Sequence, residues 1–142
     1  MREQTVTCRL VPESQRLAIT AEFFGTYFPL RIEPTIFNVA GQLAASYSGG
    51  YWNLLIVSTR DGDAFCMWPS GGGTYAVESP NGWSGTLTAD ALGICACLFA
   101  YSGLSFTAPD AMASILADNF HRLREFAMDY SVEASQIAAV CD

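Results

Sequence analysis

The chain has 142 residues, enough for one domain with a real core, and it is 51% hydrophobic and 15% charged, which excludes a disordered chain. No apolar run reaches the ~20 residues that a membrane-spanning helix needs. Fourteen acidic residues against seven basic ones give a net charge of −7, a surface that repels nucleic acid and anionic lipid.

Four Arg and four Glu cancel through Glu33, so the whole net charge falls on residues from Pro34 onward, where ten acids stand against three Arg. Every basic residue is arginine. Met1–Leu10 carries Arg2, Glu3 and Arg9 with no apolar block behind them, so a cytoplasmic protein is expected.

Residues 1–33 read as irregular. Within them, Pro12 suits a first helical turn and Gly25 a stop, but the apolar spacing between fits a short helix or a strand. From Pro34 the pattern sharpens. Ile36, Phe37, Ala40, Leu43, Ala44 and Tyr47 form one helical stripe, ended by Gly49 and Gly50, which predicts a helix over 34–47. Tyr51–Ser58 is β-branched and aromatic, hence a strand. Asp61-Gly62 is a favoured turn pair, and Ala64–Trp68 pairs back. Turns at Pro69–Gly73 and Pro80–Gly82 separate two further strands, Thr74–Glu78 and Trp83–Leu87. The expected sheet is a four-stranded antiparallel meander over 51–88. Leu54, Leu55, Ile56 and Val57 are apolar on both faces, so both faces are expected to be covered.

Thr88 caps the next predicted helix, 88–103, with Asp90 in its first turn. This helix is apolar nearly all round and therefore central, and Gly103 is its expected end. Thr107–Asp110 has capping-box spacing before a long amphipathic helix, 108–130. Asp118 and Arg122 stand four apart on its outer face. A short helix over 132–141 closes the chain. The fold class is α/β of the α+β type, one domain spanning 1–142.

Little in this pattern carries catalytic chemistry. His121, the single histidine, lies on a polar helix face with no readable nucleophile beside it. Asp61 and Asp63 lack the further oxygen ligands and closing Glu of a calcium loop. Gly71–Ala76 is glycine-rich but has no Lys-Ser/Thr, and a strand follows it. The five cysteines are read as reduced thiols, since Cys95 and Cys97 point apart on their helix and no His or second Cys pair stands at zinc-ligand spacing. No catalytic residue, cofactor or metal is expected. Tyr51 and Trp52 take opposite faces of a strand, with Trp68 and Trp83 as candidate stacking partners.

Several segments in order carry a wider resemblance: LVPESQRL (10–17), FFG (23–25), YSGGYW (47–52), Phe65, Met67 and Pro69, LTADALGI (87–94), LFAYSGL (98–104) and HRLREFA (121–127). Through them the chain resembles the ArdB/KlcA antirestriction family. That resemblance implies a compact α/β domain, carriage on plasmids and other mobile elements of bacteria, and relief of type I restriction of unmodified DNA. It implies no catalytic residue. The expected partner is a type I restriction-modification enzyme or a factor controlling it, with no direct nucleic-acid binding and no membrane.

Two other function classes fit the sequence less well than a non-enzymatic inhibitor. A mimic of DNA over the whole molecule, roughly 35–40 Å across, would need on the order of 20 phosphate-like charges, far above the net charge present, which leaves as the alternative a partial charge mimic, one acidic face imitating a short segment in the restriction enzyme's DNA-binding channel. A hydrolase lacks a nucleophile–base pair. The expected contact residues are Asp61 and Asp63 at a hairpin tip, Asp142 beside the terminal carboxylate, and Trp52 as an apolar anchor. Jointly replacing the three acids by Asn is expected to abolish restriction relief.

Overall fold

The protein is described from a computed structural model covering residues 7–142. Among the described residues, five strands and five α-helices follow one another: β1 (Thr7–Leu10), α1 (Arg16–Phe24), α2 (Glu33–Leu43), β2 (Trp52–Thr59), β3 (Gly62–Pro69), β4 (Thr74–Glu78), β5 (Ser84–Thr88), α3 (Ala89–Ser105), α4 (Asp110–Tyr130) and α5 (Ala134–Cys141). A 3-10 turn (Glu13–Gln15) precedes α1, and a π-helical turn (Phe28–Ile32) runs straight into α2.

The expected meander is divided. β1, β2 and β3 form one antiparallel sheet, and β4 and β5 a separate antiparallel ladder. The break has a physical cause on the outer edge of β3. In an antiparallel strand alternate residues turn their backbone groups to the same edge, and here residues 63, 65 and 67 do so. Arg122 donates to the Asp63 carbonyl at 3.2 Å. The Phe65 N–H donates to Asn119 Oδ1 at 2.9 Å, and the Phe65 carbonyl accepts from the Tyr101 hydroxyl at 2.5 Å. Cys97 Sγ donates to the Met67 carbonyl at 3.7 Å. Side chains of α3 and α4 thus occupy the edge that a fourth strand would have used.

The N-terminal third is more ordered than its sequence suggests. β1 pairs with β2 in the register Thr7↔Ser58 to Leu10↔Leu55, and the Val11 N–H extends the ladder to the Leu54 carbonyl at 2.8 Å. The ambiguous stretch after Pro12 is helical as α1, which stops at Gly25 with φ of 59°. Its Phe24 meets Phe28, Phe65 and Tyr101 in one aromatic cluster.

Helix ends differ in three places. α2 stops at Leu43 because Ala44 is extended, which frees Tyr47 to turn toward the sheet. α3 passes through Gly103 to Ser105. The Thr107 hydroxyl bonds back to the Leu104 carbonyl at 3.5 Å instead of capping α4, so Pro109 holds the N-cap position without a side-chain bond. The Thr88 cap does form, its hydroxyl oxygen accepting from the Ala91 N–H at 3.3 Å.

α3 is the central element, packed by α2, α4, α5 and β3. Its closest approach is at Gly93, where an added Cβ would lie 2.2 Å from Trp68 Cβ and 2.4 Å from the Met67 carbonyl oxygen. Cys95 and Cys97 diverge from this helix as their spacing requires. Cys95 faces Cys141 of α5, and Cys97 faces Cys66 of β3. No helix among the described residues is long and apolar enough to cross a membrane.

Candidate functional site

The four residues marked for partner contact do not come together. Trp52 is only 3% exposed. Its ring meets Phe37 and Tyr47 edge-on at 5.2 and 5.7 Å, and its indole N–H donates to the Tyr47 hydroxyl at 2.9 Å. Register puts it opposite Pro69, at the open end of the β2–β3 hairpin, whereas the turn follows Thr59↔Gly62. Seven residues of strand separate the two ends, roughly 24 Å. Trp52 is therefore a core residue and not the surface anchor expected beside the turn. Sequence adjacency to a turn says nothing about which end of a strand, or which face, a ring occupies.

Its neighbour Tyr51 takes the other face and is half exposed. The Tyr51 hydroxyl donates to Glu13, and the Arg16 guanidinium lies 4.5 Å from the ring centroid while donating to the Trp52 carbonyl at 2.8 Å. The Glu13 carboxylate, accepting that hydrogen bond, pushes the Tyr51 hydroxyl up from its ordinary value.

Asp61 and Asp63 do lie exposed at the hairpin turn. The Asp63 carboxylate accepts from the Ser58 hydroxyl at 2.7 Å, and the Asp61 N–H donates to the Thr59 hydroxyl oxygen at 3.2 Å. The turn is not a purely acidic spur. Arg60 stands 3.7 Å from Glu125. Arg122 leaves the outer-face position expected beside Asp118 and lies over Gly62, where φ is +131° and an added Cβ would meet the guanidinium carbon at 2.9 Å. His121 is exposed, its ring edge-on to Phe120 at 5.4 Å.

Asp142 is exposed at the end of α5, its carboxylate 3.6 Å from Arg124. Arg124 is two positions beyond Arg122 on α4, hence about 200° around the helix. Asp142 and the hairpin acids therefore flank α4 on different sides and do not make one patch.

Two concave features escaped the sequence reading. One lies at the start of α3, a cavity of about 430 Å³ among Trp68, Gly72, Gly73, Asp90 and Glu133. Glu133 closes it by accepting from the Thr88 hydroxyl and from the Thr88 N–H, the latter at 3.0 Å. Burial, and then the Glu133 charge, raise the Asp90 carboxyl above its ordinary value. Thr88 was legible as a cap, but nothing local marks a partner 45 residues away. The other is a groove of about 490 Å³ between α2, α3 and the end of β4. Gly103, which lines it, reads in sequence as a helix stop but lies inside α3.

Burial and pairing shift four of the thiols from their ordinary values. Burial, with a contribution from Asp90, raises Cys8 to about 11. The hydrogen bond to Cys141, with burial, raises Cys95, and the same bond lowers Cys141 with help from Arg124. Among the described residues, no three His, Cys, Asp or Glu side chains gather as metal ligands would.

Such geometry defines a small acidic α/β protein with polar edge contacts and surface concavities. Residues 45–142 match the Antirestriction protein family. The chain is 36% identical over 134 residues to the antirestriction protein KlcA of Escherichia coli, covering 92% of this chain and 90% of that protein. It is 34% identical over 144 residues to the uncharacterized protein YafX of Escherichia coli K12, covering 99% and 90%. A solved structure aligns with a TM-score of 0.86 at 37% identity, over 100% of this chain and 99% of the other. That structure belongs to the KlcA and ArdB proteins, which show a novel fold and antirestriction activity against type I DNA restriction systems in vivo but not in vitro. This chain belongs to the antirestriction protein family.

Proposed function

We propose that this protein relieves type I restriction of incoming unmodified DNA in the cytoplasm, by contact with a protein of the restriction system or with a factor controlling it, and without catalysis. The observation that carries the reading is the end-to-end likeness, TM-score 0.86 at 37% identity, to a protein with that activity in cells. A family name alone would carry less. The alignment leaves no large insertion in which a different activity would reside, because it covers 100% of one chain and 99% of the other.

Contact is favoured over DNA mimicry by charge geometry. A mimic needs rows of acids, whereas the hairpin turn alternates signs, with Arg60, Asp61, Asp63, Arg122 and Glu125 side by side. The activity in vivo but not in vitro described for the relatives also favours a route needing a cellular component.

The test is plating of unmodified phage on a type I restricting strain with and without the protein, beside cleavage by the purified restriction enzyme with the protein added. Expected is raised plating efficiency in cells and unaltered cleavage in the tube. Plating efficiency equal to that of the empty strain would overturn the reading.

A further inference from the structure

We propose that the groove between α2 and α3 is where this protein receives a segment of a partner protein, an apolar side chain inserted in the groove and flanked by a Lys or Arg. The proposal rests on the reading above, that the protein acts by protein contact, and names the surface and the chemistry of what it contacts.

The groove is built by the backbone as much as by side chains. Val39 and Leu43 of α2 form one wall and Phe99 of α3 the other, with Pro80 closing one end. Gly103 opens the floor: it lies within α3, and a Cβ added there meets nothing within 4 Å. Leu43 is buried, while Val39 and Phe99 stay partly exposed, so apolar surface is offered to an occupant. The walls are firm. α2 packs on α3, and the Ser79 hydroxyl, buried, ties the end of β4 to the Val140 carbonyl at 2.6 Å. A preformed apolar concavity of about 490 Å³ holds one large side chain and its neighbours.

Charge says which kind of segment. No Arg or Lys occurs between Arg60 and Arg122, and none in α2, so the elements around the groove bring no positive charge. Their acid at the rim is Glu78, exposed at the end of β4, and it takes part in neither ion pair found among the described residues. An uncompensated carboxylate beside an apolar slot, on a chain whose net −7 arises entirely after Glu33, is complementary to a basic, apolar segment.

Gly103→Leu, Gly103→Ala and Glu78→Lys test this in the phage-plating assay, with Tm and sedimentation measured on the same proteins. Leu at 103 fills the groove from a helical position that favours a side chain over Gly. The expected result is a drop of tenfold or more in restriction relief for Gly103→Leu with a Tm no lower than the parent's. Gly103→Ala should keep most of the relief, and Glu78→Lys should lose severalfold. Parent-level relief in Gly103→Leu overturns the proposal. So does parent-level relief in Glu78→Lys, a change at an exposed strand end that decides the matter even if Gly103→Leu folds poorly. A parent dimer that Gly103→Leu converts to monomer would make a second copy the occupant and also overturn it. Failure of the parent itself to relieve restriction would instead count against the function proposed above.

Discussion

Asn119 of α4 accepts the backbone N–H of Phe65 at 2.9 Å, 54 residues away, and its own amide donates to the Ile115 carbonyl at 2.9 Å. Asn119 is 3% exposed, so no water replaces it easily. Asn119→Leu keeps the branched outline of the side chain, at somewhat larger volume, and strands the buried N–H, a loss of about 1–3 kcal/mol. Urea unfolding of the two proteins measures it. A variant as stable as the parent would show that the β3 edge is satisfied in another way.

Two glycines of α3 should behave oppositely. Gly93→Ala pushes a methyl into Trp68 and the Met67 carbonyl, so α3 must lift from β3, at about 3 kcal/mol. Gly103→Ala meets open space and removes backbone freedom from the unfolded chain, a gain of about 0.5–1 kcal/mol. Thermal unfolding of both variants checks the contrast, which fails if their Tm shifts share a sign.

Asp90 supplies a pH-dependent term. Burial and Glu133 raise its carboxyl from 3.8, so the folded state binds the proton more tightly than the unfolded chain. Ionisation of Asp90 therefore weakens the fold as pH rises through the raised value. Asp90→Asn should raise Tm at neutral pH, and the difference from the parent should vanish below pH 3.8, where both states of the parent are protonated. A Tm difference independent of pH would remove this account.

The exposed acids Asp61, Asp63 and Asp142 stand at two separate places, which sets a test of any part they play in restriction relief. Each exposed ion pair with a partner contributes about 0.2–1 kcal/mol, so single losses should be mild. Because Asp142 and the hairpin acids flank α4 on different sides, Asp61→Asn with Asp63→Asn and Asp142→Asn should lower relief by factors that multiply in the triple variant. Plating assays on the double, single and triple variants decide it. Undiminished relief in the triple variant would exclude these acids from the contact surface.

Much of the local structure was legible because it depends on near neighbours in sequence. The apolar stripe of α4, the Thr88 cap, the Asp61-Gly62 turn and the β2–β3 pairing all arise within a few residues, where side-chain period and backbone sterics act directly. The family resemblance was legible for a related reason, since motif order survives without knowledge of contacts. β1 was missed because a four-residue edge strand has too short a period to show, and it exists only by pairing with β2.

What the sequence determined by itself was the class of fold, the antiparallel hairpins, the long helices and the imbalance of charge. Each follows from composition or from short-range periodicity. Only the tertiary structure decided that the sheet stops at β3, that Trp52 is core, that Arg122 lies on a hairpin 59 residues away, and that Gly103 opens a groove. Those outcomes depend on contacts between distant segments. Asn119, Tyr101 and Cys97 satisfy one strand edge because helix packing carries them there, and no window of sequence contains both sides of that contact.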